Sequence, residues 1–393
     1  MRNWHRLKSP FRSWHTSRGG SAFTSSVPLI LTRSTAAWAQ DKEGNLIAFG
    51  VDERRLTSAG LTITGAATRL HGEAPTNGGN LGATSLVLPV EGLFNPLRSI
   101  SAGANWHRRV VPIFSITNAV PVFVRVRVRA GTSGLMRIAC RNETAVTESI
   151  IIGSLASPSI TSVSAGEITE IVNTLLLSGD REVTFTWTPN ANGSGGQNGI
   201  GIGPGSTTSG EYIDIIGMQA TSQFSEWIMG GAGTVAQAAD VATLDLTGVS
   251  LAAGFMLRMD GTLLATPRIN FDRFYQADTG VNDNRCAGLV APSTGNWFAT
   301  QAVASVSQAD VQIAIAVTPP FAFSLVGAHG LNYVGGAVSG AVATPDTVAT
   351  YTTPTVFRIG ASSPGNATPP LLLTRITLFP ETPTTPRVTA VAA

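Results

Sequence analysis

Residues 270–286, NFDRFYQADTGVNDNRC, bring aromatic, carboxylate, amide and guanidinium side chains into one short stretch. Tyr275, Asp278, Asn282, Asp283, Asn284 and Arg285, with Trp297 downstream, are the candidate carbohydrate-binding residues. Aromatic faces pack on the C–H groups of a sugar, while Asn, Asp and Arg bond its hydroxyls. The same Asp and Asn oxygens suit Ca²⁺. Runs of Asn, Asp and Gly also simply make turns, and this plainer reading carries the most weight. Asp272, Asp278 and Asp283 raise a hydrolase alternative, because glycoside cleavage needs two carboxylates about 5–10 Å apart.

No firmer catalytic constellation is visible. The histidines are His5, His15, His71, His107 and His329, and none is spaced with another as a metal pair. Residues 231–236 fit a loose G-x-G-x-x-A. A dinucleotide site also needs a preceding strand, a following helix and a downstream acid, and that alternating pattern is missing. No P-loop, H-E-x-x-H or G-x-S-x-G occurs. No catalytic residue, metal or cofactor is therefore assigned. Cys140 and Cys286 lie far apart and read as two buried or half-buried thiols, not as a disulfide framework or a zinc site.

The elements that must position such residues are strands. The chain has 393 residues, of which 13% are charged and 43% hydrophobic, with 42 glycines. That mixture suits short strands joined by turns, not amphipathic helices. The plainest strand is PVFVRVRVRAG. Val122, Val124, Val126 and Val128 take one face, and Phe123, Arg125, Arg127 and Arg129 the other. The valine face is read as core. The arginine row is expected to be solvated or to meet another subunit, with a polyanion site as the alternative. The fold class that follows is all-β: two β-sandwiches preceded by an extended basic N-terminal arm. The expected units are a basic arm at 1–26, a β-rich module at 27–104, a sandwich at 105–228, a connector at 229–240, a second sandwich at 241–382 and an extended Pro/Thr-rich tail at 383–393. The Gly-rich run 190–211 is read as a long loop.

The arm carries Arg2, Trp4, Arg6, Arg12, Trp14 and Arg18, and no acidic residue precedes Asp41. Aromatics among arginines can stack on nucleic acid or dock on protein. The net charge of only +2 gives the rest of the chain no basic face, so protein docking is favoured over nucleic acid. Ala37-Trp38-Ala39 has the small-x-small form of a secretory cleavage site. The apolar run before it is short, and Arg33 interrupts the approach. The stretch reads better as a strand VPLILTR, a turn at 41–45 and a strand LIAFGV. No apolar run approaches the ~20 residues of a membrane span.

Certain residues carry a resemblance. Thr32, Arg33, Ser34, Thr35, Trp38, Asp41, Gly44 and Arg55-Leu56 are similar to an opening module of tailed-phage virion proteins, with LHGEAPTN (Glu73, Thr76 and Asn77) resembling an element that follows it. Gly210, Tyr212, Gly217 and Gln219 resemble the last strand of a jelly-roll domain in such proteins. Ala238, Ala239 and Asp240 resemble the connector into a concanavalin-A-like (laminin-G-like) sandwich. Gln237 stands where the connector usually has arginine. The resemblance implies a virion structural protein, a tail fibre or head-surface fibre assembled in the bacterial cytoplasm. The arm would anchor it to other virion proteins, and the sandwiches would be presented to a host-surface glycan. It further implies a homo-oligomer, a trimer favoured. The alternatives are a polysaccharide depolymerase on the same scaffold and a secreted bacterial lectin.

Overall fold

The computed structural model describes residues 23–71, 80–81, 84–87, 96–104, 106, 108–163, 167–194, 198–229, 234–265, 272–291, 295–314, 318–361 and 369–393. The proposed anchoring residues Arg2, Trp4, Arg6, Arg12, Trp14 and Arg18 lie outside these residues, as do Glu73, Thr76, Asn77, His107 and the first half of the G-x-G-x-x-A run, residues 231–233.

Four large sheets and one hairpin make up the described chain, and a single short helix closes it. The first sandwich packs two sheets. One orders the strands Ile168–Leu175, Arg181–Trp187, Val122–Ala130, Tyr212–Thr221, Leu97–Ile100 and Thr84–Val87. The other orders Ile160–Val163, Thr147–Ser154, Leu135–Asn142, Gly199–Pro204, Arg108–Ile113 and Asn80–Leu81. Between them lie Val122, Val124, Val126 and Val128 with Ile138, Phe185, Trp187, Ile200 and Ile202, as the alternation of the valine strand predicts.

The second sandwich packs a sheet built around Phe255–Leu263, Phe321–Gly330 and Leu371–Phe379 against one running from Val241–Leu244 through Asp272–Asp278 to Val306–Ala314. Its core is aromatic: Phe255, Phe274, Tyr275, Trp297, Phe323 and Phe357 pack together.

The stretch 27–104 is shared between the two sandwiches. Leu29–Thr32 pairs with Val241–Leu244, and Gly60–Ile63 pairs with Leu371–Leu373, both in the second sandwich. Leu97–Ile100 pairs with Tyr212–Ile215 in the first. Ala67–Arg69 pairs with the connector strand Val235–Gln237. Within this stretch, the hairpin Ala37–Gln40 with Leu46–Phe49 forms a sheet of its own. Its turn at 41–45 falls where the sequence places it, held by Asp41 Oδ1 accepting the Asn45 N–H at 2.7 Å. The strand before that turn is Ala37–Gln40, not VPLILTR. The small-x-small triplet is therefore a pleated strand with Ala37 and Ala39 buried.

Several expectations need correction. Residues 23–26 do not belong to an arm. Phe23 sits in the second core, and Thr24–Ser25 run parallel to Arg375–Ile376. The run 190–211 is not all loop, because Gly199–Pro204 is an interior strand. Ile200 and Ile202 fill the core while Gly201 lies under the Arg108 side chain, where a Cβ would stand 2.6 Å from its Cδ. The tail is not extended: Thr385–Ala392 is a helix. Thr384 caps it by accepting the Arg387 N–H, Pro386 sits in its first turn, and Arg258 Nη1 bonds the Val391 carbonyl at 2.6 Å near its end. Val388 and Val391 cover Met256, Val326 and Ala328.

Candidate functional site

The 275–297 cluster folds into two strands and a tight turn. Tyr275 and Trp297 are fully buried in the second core, so neither presents a face to a sugar. Tyr275 Oη instead meets His329 Nε2 at 2.7 Å. Gly288 and Gly327 lie against its ring, where a Cβ would collide with it. Asp278 is also buried. It accepts the Gly280 N–H at 2.7 Å and Gln276 Nε2 at 2.8 Å, and it pairs with Arg358. The turn's remaining side chains bond backbone within the turn and the neighbouring 304–305 loop. Arg285 Nη1 bonds the Asn282 carbonyl at 2.8 Å, Asp283 Oδ1 takes the Ser305 hydroxyl at 2.7 Å, and Asn284 Oδ1 takes the Ala304 N–H at 2.9 Å. The turn reading accounts for these bonds. Among the described residues no group of three His, Cys, Asp or Glu side chains is placed to hold a metal ion. Both thiols are free and buried.

The arginine row is solvated only at its outer end, where the Arg129 side chain is 43% exposed. Arg125 and Arg127 are buried inside this chain, because the 37–49 hairpin and the segment around Trp227 lie over them. Glu182 bridges the pair, with Oε1 2.9 Å from Arg125 Nη1 and Oε2 3.0 Å from Arg127 Nη2. Glu226 Oε2 stands 3.4 Å from Arg125 Nη1. Arg127 Nη1 bonds the Gly44 carbonyl at 2.9 Å, which fastens the hairpin tip to the first sandwich. Arg129, at the outer end, pairs with Asp180. Burial works against the Arg125 charge, and the fields of Glu226 and Glu182 more than offset it, so its pKa lies above the usual arginine range.

A second ionic cluster sits where the two sandwiches join. Asp240 follows the connector strand Val235–Gln237 and directly precedes Val241–Leu244 of the second sandwich. Its Oδ1 is 2.7 Å from Arg33 Nη1, and its Oδ2 accepts from Arg55 Nη2 and from the Thr64 N–H, the latter at 2.9 Å. All three charged side chains are fully buried. Arg33 also donates to the carbonyls of Thr35, Gly50 and Glu53, so its whole fork is engaged. Two cations share one carboxylate, with carbonyls supplying the rest of the negative potential. Such a cluster holds a geometry and collapses if its anion is lost. Arg33, Arg55 and Asp240 were each part of a sequence pattern. That they meet was not legible, because 207 residues separate Arg33 from Asp240.

Between the hairpin, the charged face of the first sandwich and the edge of the second lies an open cavity of about 320 Å³. Gln40, Asp41 and Lys42 border it from the hairpin. Arg125, Glu182, Thr184, Phe224 and Glu226 border it from the first sandwich, and Leu264, Pro320 and Leu372 from the second. Sequence reading missed this site. Its polar residues come from six separate segments, and of these only Asp41 and the arginine row gave any signal.

No protein-family model matches the chain, and no curated protein matches it. Twelve chains of solved structure match. Mouse laminin alpha1 chain, domains LG4-5, is similar at 8% identity over 79% of this chain and 88% of that chain, with a TM-score of 0.24. The chain is an all-β protein of antiparallel sandwiches on the evidence of its own sheets.

Proposed function

We propose that this chain is a structural and adhesive protein: a virion appendage of tailed-phage type, anchored through its N-terminal region, that presents two β-sandwiches to a host-surface glycan. The observation that carries the reading is the buried Arg33–Asp240–Arg55 cluster. Residues that resemble a virion opening module and its connector meet at the crossover where the chain passes between the two sandwiches. The pattern is thus a spatial unit, not a scatter of similar letters. A rigid pair of sandwiches repeated around a symmetry axis would multiply weak single-site contacts into useful avidity. Presentation is preferred to cleavage because, of the three carboxylates bordering the interdomain cavity, Glu182 and Glu226 are tied to the same Arg125 and Asp41 is bonded to Asn45 in the hairpin turn.

The test is location. Particles purified from cells that express the chain are analysed by mass spectrometry and by immunogold imaging against the 241–382 region. The reading expects the chain in the particle, at a fixed place and stoichiometry. A chain recovered only as free protein, with a mature start at Gln40, would overturn it in favour of a secreted lectin.

A further inference from the structure

We propose that the cavity between the two sandwiches is a saccharide-binding site sized for one or two sugar rings. The inference deepens the attachment reading and rests on it for its biological meaning. About 320 Å³ lies at the small end of the range in which proteins bind organic ligands, and such sites favour domain interfaces.

The lining combines two chemistries that a sugar needs together. Phe224 supplies an apolar aromatic edge, and it is held rigid: its ring centroid lies 4.7 Å from that of Phe123, and the Arg125 guanidinium stands over its face at 5.4 Å. Glu182, Glu226, Gln40 and Thr184 supply acceptors and amide or hydroxyl groups for ring hydroxyls. The carboxylates are preorganised, because Arg125 and Arg127 fix Glu182 from both oxygens. Glu226 is 9% exposed, and its Oε2 has no hydrogen-bond partner, meeting only Arg125 at 3.4 Å. Glu226 lines the cavity with a carboxylate oxygen packed on Arg125 and short of hydrogen bonds, so a ligand hydroxyl that draws the carboxylate off Arg125 gains an acceptor there.

The charge balance agrees with a neutral or amino sugar over an acidic one. Asp41, Glu182 and Glu226 oppose Lys42 and Arg125 around the cavity, an excess of one negative charge. The 278–285 turn offers no comparable set, since its aromatic neighbours Tyr275 and Trp297 are buried in the core and Asp283 and Asn284 are bonded to the 304–305 loop.

Saturation-transfer difference NMR on the full chain tests this, with glucose, galactose, mannose, glucosamine, N-acetylglucosamine, sialic acid and their common disaccharides as probes at millimolar concentration. The wild type should take up at least one neutral or amino sugar. Thr184→Trp, which fills the cavity from the first sandwich, should abolish the transfer. Ala59 also lines the cavity, from the opening stretch, and Ala59→Trp should do the same and stands in if the first variant misfolds. Glu226→Gln should weaken binding about tenfold or more, the scale for losing a hydrogen bond to a charged group. No transfer from any probe to the wild type overturns the proposal. So does transfer that persists in both folded tryptophan variants, which would place the sugar elsewhere and leave the attachment reading intact. Absence of the chain from particles would instead overturn attachment and leave this measurement unaffected.

Discussion

Replacing Asp240 by Asn should damage the protein more than any exposed substitution. The carboxylate bonds Arg33 through one oxygen, and Arg55 and the Thr64 N–H through the other, with no solvent to take over any of the three. The amide keeps one acceptor and turns an NH₂ toward a guanidinium, so two buried cations lose their only anion. Removing one partner from a buried ion pair costs about 3–5 kcal/mol. At roughly 2–4 °C per kcal/mol for domains of this size, the thermal midpoint should fall by about 6–20 °C. The assay is calorimetry with far-ultraviolet dichroism, combined with limited proteolysis at the 229–240 connector. A second replacement supplies the internal control. Arg55→Met in the Asp240→Asn background removes one stranded cation, so the double variant should be less unstable than the sum of the two singles. A midpoint for Asp240→Asn within a degree or so of wild type, or strict additivity in the cycle, would refute the argument that this cluster holds the crossover together.

Other outcomes follow from single contacts. Gly44 has φ +89° and already lies where a Cβ would stand 2.9 Å from Leu176 Cδ1. Gly44→Ala should cost about 2 kcal/mol from left-handed strain and crowding, read as faster proteolysis of the 37–49 hairpin, and unchanged cleavage would contradict this. Two buried groups set opposing slopes with pH. Burial lowers His329 from its usual 6.5 to about 3, so unfolding takes up a proton between those values and stability falls as pH falls. Burial lifts Asp272 from 3.8 to about 7, so the folded chain holds the extra proton there and stability falls as pH rises. Asp272→Asn leaves only the histidine slope. Its urea midpoint should drop relative to wild type as pH goes from 6.5 toward 3.8, and parallel curves would contradict the assignment. Burial pushes the thiols of Cys140 and Cys286 upward, so a disulfide reagent should label neither in the native chain and both on unfolding. Rapid native labelling would show that one core is open.

What was legible in the sequence was whatever a local period encodes. Alternating valines at 122–128 named a strand and its buried face, and Asp41 to Asn45 named a turn. Composition misled where one residue type hid a pattern. The glycines of 199–205 concealed the alternating Ile200 and Ile202, and the prolines and threonines of 380–386 concealed a capped helix start at Thr384. Burial of polar residues was illegible because it depends on pairing across long separations. Arg125 and Arg127 read as a wet face until Glu182, Glu226 and the hairpin are seen to cover them. Tyr275 and Trp297 read as sugar contacts because an aromatic beside Asn and Asp looks the same in sequence whether its strand faces out or in. The cavity residues are close only because the opening stretch threads both sandwiches.

That threading is tested most directly by making residues 241–393 alone and following their unfolding by calorimetry. The fragment lacks Thr24–Ser25, Leu29–Thr32, Leu56–Thr57 and Gly60–Ile63, the strands that complete both of its sheets, and with them Phe23, Leu29, Leu56, Leu61 and Ile63 of its core. The account predicts no cooperative transition from the fragment and one from the intact chain. A fragment that melts cooperatively at the temperature of the intact chain would contradict it.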